Sequence, residues 1–441
     1  MVHFQVPLPG LSRDIRTLTA EEKDFLNYFC TIDSSRIFPV VDCYAGVGPK
    51  GYGASLILAR IIKIRERILS DRQLAKCLKK NDLYRFVTQD IQPSHNSFNT
   101  LRKRLGPKGF VEIHKRFVSK AHSLGLLKPE IKELPKNRKK GIILVADSTF
   151  LITSGSTRGE KDQLGNWHFT DDSVAFSGKG HHKHKYAVGH KAHSLRTISG
   201  VPLITLLSPA NISDQDIILY LIEELVDRYP KLEFSYIILD RGYDTEEIHH
   251  DIYEFFGIIA VIIRKKMVYP KGFNKDGYPL CPWGFAMKTK VIDYQRKRTR
   301  YACFKVCKKS KQPLLFACDY IKEQLKLGYS KYTYFKNGYR KFGPAVPHSL
   351  IYKKLKPFRT GIERTFGLVK ENRYFMEKSN RYKGIDNVSI HAIEHDIVLT
   401  QDIIFDYLKS GKISPVLNLN YCTGSNCKIS RREDLDFLVG F

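Results

Sequence analysis

The chain has 441 residues, of which 42% are hydrophobic, so it is long enough for two or three domains with real cores. Its 73 lysines and arginines against 45 acidic residues give a formal net charge of +28. No apolar run approaches about 18 residues and the N-terminus lacks the pattern of a secretory signal, so we expect neither a membrane span nor secretion.

The positive charge recurs along the chain, in segments such as KNRKK, GHHKHK, RKRTR and KKSKQ, and is not confined to one tail. Because each neutralised phosphate releases a condensed counterion, such a protein is expected to bind a polyanion. The alternative is a solvated basic surface without a specific partner. The nine cysteines are unevenly spaced, which excludes a dense disulfide framework and favours a reducing, cytoplasmic location.

An all-helical domain is predicted over residues 51–130, after a mixed N-terminal segment (residues 1–50) that shows no clear pattern. SLILARIIKIRERIL and FVEIHKRFVSKAHSLGLL carry apolar residues at helical spacing. Ser70 with Gln73 three positions later has the form of a capping box at the start of a further helix.

Two interpretations of the short basic helices in residues 70–105 remain open. They suit a helix-turn-helix in which Arg102, Lys103 and Arg104 face DNA. They equally suit a plain helical bundle with basic solvent-exposed faces.

The periodicity changes after a polar linker, and an α/β domain is predicted over residues 141–264. GIILVADSTF, FSYIILD and GIIAVIIR are apolar, β-branched runs typical of buried strands. KYAVGHKAHSL and VPLITLLSPAN indicate two further strands, and DQDIILYLIEELVDRY and DTEEIHHDIYEFFG indicate helices. Residues 265–347 read as a β-rich insertion, residues 348–408 return to the α/β domain, and residues 409–441 read as a tail.

Two of the predicted buried strands end in a carboxylate, Asp147 in VADSTF and Asp240 in IILDRGYD. An unpaired charge there costs several kcal/mol, and strand ends are where ligands and metals gather in an open α/β sheet. Glu363, on a predicted helix, supplies a third carboxylate. Arg359 lies four residues before it and Lys370 seven after, on one broad helix face. Taken singly, each acid also fits a strand-end cap or a surface ion pair.

The spacing of Arg359, Glu363 and Lys370, R-x-x-x-E-x-x-x-x-x-x-K, resembles the third-acid signature of bacterial insertion-sequence transposases with a DDE domain. The DST after Val145-Ala146, the LDRGYD around Asp240 and the ERTFGLVK segment are similar to that family. So is the helical region RILSDRQLAKCLKKNDLYRFV…PSHNSFNTLRKRL. The resemblance covers roughly residues 50–405.

The resemblance implies an RNase H-like catalytic core, α/β in class, with a mixed five-stranded sheet and flanking helices. It implies that Asp147 and Asp240, on the first and fourth strands, and Glu363, on a later helix, are catalytic and bind two Mg²⁺ or Mn²⁺ ions. The long gap between Asp240 and Glu363 matches members with a β-rich insertion before the last helix.

The implied substrate is double-stranded DNA, at the inverted-repeat ends of an insertion sequence and at the target, bound by a homodimer in a synaptic complex. The implied reaction is hydrolysis at the element end followed by strand transfer, with Arg359, Lys370 and Arg364 on the DNA backbone. One departure is Lys356, which stands where relatives often have a phosphate-contacting tyrosine. Tyr352, one turn earlier, is a partial substitute only.

Two rival functions remain at this stage. One is an RNase H-like nuclease or resolvase that cuts DNA without joining strands. The other is a non-catalytic DNA-binding protein derived from a transposase, against which the intact Asp147, Asp240 and Glu363 set argues.

Weaker signals favour structural roles. Reduced cysteines are preferred over a structural zinc site at Cys281, Cys303, Cys307 and Cys318, with Cys422 and Cys427 weaker still. Exposed or DNA-facing histidines are preferred over a metal site at His181, His182, His184, His190 and His193. Helix caps are expected at Asp214, Asp216 and Asp244. Core packing or base stacking accounts for Trp167 and Trp283.

Overall fold

The computed structural model describes residues 17–43, 52–131, 134, 138–165, 167–177, 187–303, 330–360, 363, 367, 369, 374 and 376–412. The helices are α1 (Ala20–Cys30), α2 (Ser34–Cys43), α3 (Ser55–Arg65), α4 (Asp71–Lys80), α5 (Asp82–Val87), α6 (His95–Ser123), α7 (Asp214–Arg228), α8 (Glu246–Phe256), α9 (Tyr339–Phe342), α10 (Leu350–Leu355), α11 (Met376–Ser379) and α12 (Ile385–Ser410). The strands are β1 (Ile142–Ile152), β2 (Glu160–Lys161), β3 (Trp167–His168), β4 (Ala175–Phe176), β5 (Val188–Thr197), β6 (Pro202–Pro209), β7 (Phe234–Leu239), β8 (Ile259–Ile262), β9 (Lys288–Asp293), β10 (Arg298–Ala302) and β11 (Ser330–Tyr334).

The main sheet is mixed, as the sequence predicts. β5 pairs antiparallel with β1 and with β6, while β1, β7 and β8 run parallel to one another. The short strand β4 also pairs with β5. Every residue of β7 and β8 is buried, which explains why these strands read as unbroken apolar runs. The expectation of an α/β fold with a mixed sheet and flanking helices is therefore confirmed.

Helices α3 and α6 of the N-terminal third pack against α12, which in turn packs on β6 of this sheet. The predicted capping box is confirmed, since the Ser70 side chain accepts from the amide of Gln73 and the Gln73 side chain accepts from the amide of Ser70. Apolar side chains of α1 to α6 form one continuous core with α12 and with one face of the sheet. Within the described ranges, no helix is long and apolar enough to cross a lipid bilayer.

Helix α6 consists of two helical segments that meet at Gly106, as the sequence predicts. It runs from His95 to Ser123 with a kink at Gly106, whose φ of +58° is accessible to glycine at little cost. Pro107 follows the kink, where a missing backbone N–H is tolerated. The two predicted segments therefore continue one another around a bend.

The other face of the main sheet has a smaller core, formed with α10 and residues near the linker. Beyond β8, strands β9, β10 and β11 form a separate antiparallel sheet. This small sheet and α9 fall within the part of the sequence that reads as a β-rich insertion.

Buried histidines make the fold sensitive to acid. Burial lowers the pKa of His395 to about 4 and that of His114 to about 3, well below the value of about 6.5 in an unfolded chain. The unfolded chain therefore binds more protons below about pH 6.5, and stability falls as the pH drops towards about 4. We expect the unfolding temperature to fall by several degrees between about pH 7 and about pH 4.5. Calorimetry of the wild type and of His395→Leu measures this, and an equal pH dependence in both would contradict a contribution from His395.

Candidate active site

Asp147 lies where the central strand leaves its parallel neighbour. The parallel pairing of β1 with β7 ends at Val145, whereas the antiparallel pairing with β5 continues to Ile152. Asp147 is therefore within the strand and not at its end. Its Oδ1 accepts a hydrogen bond from the Ser148 amide at 2.9 Å. The side chain is 18% exposed, so the carboxylate is largely desolvated.

Asp240 follows β7 directly, at the same edge of the sheet. Its Oδ1 accepts a 2.7 Å hydrogen bond from the Gly242 amide, which caps a short 3₁₀ turn at Arg241–Tyr243. The Asp240 side chain is 41% exposed, more than twice the exposed fraction of Asp147. Because β1 and β7 are parallel, the two aspartates lie side by side.

Arg359 brings the three predicted acids together. Its Nη2 lies 3.0 Å from Asp147 Oδ2 and 4.0 Å from Asp240 Oδ2, and its Nη1 lies 3.3 Å from Glu363 Oε1. The Arg359 side chain is only 7% exposed, whereas that of Glu363 is 61% exposed. Three carboxylates separated along the chain thus share one guanidinium group.

The electrostatics of Asp147 reflect this crowding. Burial raises the pKa of Asp147 to about 6; Asp240 and Glu363 raise it too, and Arg359 opposes the shift. A group of three acids with one buried arginine is short of positive charge, so a further cation there stabilises the ionised carboxylates.

Side chains at the start of α7 contact the turn that follows Asp240. The Gln215 side chain, in the first turn of α7, donates to the carbonyl of Gly242, whose amide holds Asp240. Asp214 Oδ1 lies 3.4 Å from both His193 Nδ1 and Lys191 Nζ. The N-cap of α7 is Ser213, so the expectation that Asp214 caps this helix is wrong.

The Asp244 side chain, in the loop after Asp240, binds residues of the segment that follows β8. Its fully buried carboxylate accepts from the Lys265 amide at 2.7 Å and from Arg340 Nη2 at 2.8 Å, and it pairs with Arg264 Nη1 at 3.2 Å. Burial alone would raise the pKa of Asp244, but hydrogen bonds from His249, Arg340 and Lys265 hold it well below its usual range. The cap of α8 is Thr245, so the prediction of a cap at Asp244 is also wrong.

Residues 138–399 match the model of the family described as the transposase DDE domain. The match covers more than half of the chain. This chain belongs to the transposase DDE domain family. The sequence resemblance to transposases with a DDE domain is confirmed at this level.

Other comparisons add less to the family assignment. A cryo-electron-microscopy structure of a piggyBac transposase synaptic complex with hairpin DNA is similar at 11% identity, covering 92% of this chain and 79% of that chain. Its TM-score is 0.28, too low to carry weight for the fold. No curated protein matches the chain.

Divalent metal ions are the cofactors that a DDE family implies, and the donor set of this transposase domain suits them. Carboxylate oxygens are the hard ligands that Mg²⁺ and Mn²⁺ prefer, and three carboxylates converge on one positive group. No cluster of three or more such side chains in the described ranges is arranged to enclose an ion. The Arg359 guanidinium lies among the acids and supplies the positive charge there.

The structure corrects two predicted DNA contacts of this transposase. Arg102 is 2% exposed and is paired with Glu394, 3.3 Å away, so it does not face DNA. Arg359 is turned towards the acids and away from solvent, so it is not an open contact for a phosphate backbone. Lys103 and Arg104 are exposed on α6. Arg364 and Lys370 lie outside the described residues.

Other predicted site residues are structural or fall outside the described ranges. His190 and His193 are buried, which corrects the expectation of exposed histidines, while His181, His182 and His184 are not described. Cys281 and Cys303 are half-buried, whereas Cys307, Cys318, Cys422 and Cys427 lie outside the described residues. Trp167 packs against Phe169 and Phe176, and Trp283 is 41% exposed.

Proposed function

We propose that this protein is a transposase that cleaves DNA at the ends of an insertion sequence and transfers the freed strand into target DNA. The observation that carries the proposal is the convergence of Asp147, Asp240 and Glu363 on one guanidinium group. Three acids from two strands and a later segment meet at one sheet edge, and an isolated surface ion pair does not account for that arrangement. These three are the proposed catalytic carboxylates.

The strand order supports an RNase H-like core. The path β6, β5, β1, β7, β8 gives three antiparallel strands followed by two parallel ones, with Asp147 on the central strand and Asp240 after its parallel neighbour. We propose that residues 141–264 and 348–408 form this core, with residues 265–347 inserted and residues 51–130 contacting DNA through Lys103 and Arg104. A homodimer in the bacterial cytosol is part of the same proposal.

Asp147, Asp240 and Glu363 would hold two Mg²⁺ or Mn²⁺ ions. When bound, such ions activate a water molecule and stabilise charge on the attacking and leaving oxygens of a phosphodiester. The roles of the protein groups follow from their surroundings. Ser148 and Gly242 fix one oxygen of each aspartate by hydrogen bonds, and the other oxygen of each faces Arg359. Arg359 offsets the mutual repulsion of the acids, and Arg364 and Lys370 are the proposed backbone contacts.

The test uses a duplex that carries the element end, identified from inverted repeats bracketing the gene, together with a supercoiled target plasmid. With Mg²⁺ we expect nicking at the end and then covalent joining to the plasmid, resolved on denaturing gels. Nicking without joining would favour a nuclease or resolvase. Specific end binding without metal-dependent nicking would favour a non-catalytic DNA-binding protein.

Gln215 is expected to act as a positioning residue. Gln215→Ala removes the hydrogen bond to the Gly242 carbonyl and loosens the turn that orients Asp240. Displacement of a reacting group by about 1 Å costs on the order of a hundredfold in rate, so we expect a ten- to hundredfold slower cleavage with unchanged end binding. Single-turnover cleavage at several Mg²⁺ concentrations measures this, with Asp227→Asn, at the far end of α7, as the control. An unchanged cleavage rate would show that the Arg241–Tyr243 turn keeps its conformation without the Gln215 hydrogen bond.

A further inference from the structure

A half-open cavity of about 680 Å³ lies between the segment that follows β8 and helix α10. Its walls include four lysines and two tyrosines that no catalytic role uses: Lys265, Lys266, Tyr269, Lys275, Tyr278 and Lys353. We refer to it as the lysine cleft.

The lysine cleft carries unbalanced positive charge. All four lysines are exposed, and within the described part of the chain none of their ammonium groups pairs with a carboxylate. Arg264 also lines the cleft, but its charge is taken up by buried Asp244. Asp276 is the one acid among the described lining residues. Charges of one sign gathered in a concave surface concentrate a ligand of the opposite sign.

The aromatic side chains of the cleft are held in place. The Tyr278 ring lies 4.1 Å from the ring of His348, centroid to centroid. Burial lowers the pKa of His348 to about 4, so this ring is neutral near pH 7. The Tyr269 ring lies against Gly277, whose φ of +84° and missing Cβ leave the space for it. Rigid, half-buried rings beside lysines are typical of surfaces on which unpaired bases stack.

The cleft also begins at the edge of the sheet that carries the acids. The Ile263 amide donates to the Leu239 carbonyl at 3.1 Å, one residue before Asp240. On the other wall, Tyr352 on α10 donates to the Ile262 carbonyl at 3.0 Å. Helix α10 leads within a few residues to Arg359. The segments that line the lysine cleft therefore adjoin the segments that carry Asp240 and Arg359.

We propose that the lysine cleft binds a single nucleic-acid strand, with its lysines on successive phosphates and its tyrosines against unpaired bases. The combination of lysines with held aromatic rings favours a nucleic-acid strand over an acidic peptide, which would use the lysines alone. The proposal rests on the proposed function, because it assigns the cleft to a strand of the DNA that this function acts on.

The first test is a lysine acetylation footprint of the full-length protein in EDTA, read by mass spectrometry. The probe is a 30-nucleotide single strand of mixed sequence, compared with a blunt duplex and with polyglutamate at equal charge. We expect the single strand to protect Lys265, Lys266, Lys275 and Lys353 about fivefold or more, with less protection from the duplex and little from polyglutamate. Unprotected cleft lysines, or equal protection by the duplex or polyglutamate, would overturn the proposal.

The second test compares two charge-matched variants. Lys265→Gln/Lys353→Gln removes two charges from the cleft, and Lys140→Gln/Lys231→Gln removes two from the opposite edge of the sheet, before β1 and β7. Each single-strand phosphate contact contributes about 0.7 to the slope of log K against log salt, so the cleft variant should lose about 1.4. The opposite-edge variant should keep the wild-type slope. Equal slopes in the two variants would sink the proposal.

The lysine cleft and the proposed function fail separately in these experiments. The footprint and the salt titration need neither metal nor turnover. A protected cleft in a protein that never cuts DNA would overturn the proposed function alone. Cleavage by a protein whose cleft lysines stay unprotected would overturn the cleft alone.

Discussion

Replacing Asp147 with asparagine is expected to abolish cleavage of an element-end duplex while leaving end binding nearly intact. The amide keeps the size of the side chain but removes the most buried of the three negative charges. A metal site supplies several kcal/mol of charge stabilisation, and a loss of about 4 kcal/mol lowers a rate about a thousandfold. Single-turnover cleavage with Mg²⁺ and gel-shift binding with Ca²⁺ measure the two effects.

Asp227→Asn is the matched control for this change, because Asp227 is an exposed aspartate in the last turn of α7. It should cleave at the wild-type rate. Strand transfer that persists in Asp147→Asn would remove Asp147 from the catalytic set. An equal loss of end binding and cleavage would point instead to a folding defect, which circular dichroism of the variant would reveal.

Replacing Glu394 with alanine is expected to destabilise the fold by about 3–5 kcal/mol. Glu394 on α12 is 3% exposed and accepts from Arg60 Nε at 2.7 Å, and Arg102 Nη1 lies 3.3 Å away. The arginines lower the pKa of Glu394 against the opposing effect of burial, so the carboxylate is charged. Alanine would leave two buried guanidinium groups without this partner. Urea unfolding followed by fluorescence measures the loss.

The control for Glu394→Ala is Glu223→Ala, an exposed glutamate on α7 that should change stability by less than about 0.5 kcal/mol. A triple variant, Arg60→Met/Arg102→Met/Glu394→Leu, removes both signs of charge together. Because it leaves no unpaired charge, it should recover most of the lost stability. A loss below about 1 kcal/mol in Glu394→Ala would show that water solvates the arginines.

The features that could be predicted from the sequence depend on residues that are close together along the chain. The strands around Asp147 and Asp240 are visible because buried parallel strands require unbroken apolar runs, and an acid that interrupts such a run stands out. The capping box at Ser70 is visible because both of its partners lie within one turn. The mixed sheet follows from the order of these elements.

Ion pairs between residues far apart along the chain could not be predicted from one sequence. Arg102 reads as a DNA-facing cation in a basic run, yet its partner Glu394 is 292 residues away. Likewise, His193 and Asp214 meet only after β5 and α7 have packed. No local pattern distinguishes a buried arginine from an exposed one, because burial depends on which distant acid folds against it. The position of Arg359 beside Glu363 is visible in the sequence, but its pairing with Asp147 and Asp240 is not, for the same reason.

The core that α1 to α6 share with α12 and the sheet makes the two regions interdependent for folding. Arg60 and Arg102 belong to the first region, and Glu394 belongs to the second. Severing the chain in the polar stretch before β1 would uncover a large apolar face on each half and separate Arg60 and Arg102 from their buried partner Glu394. Each half made alone should aggregate, and only the two halves synthesised together should yield a native assembly.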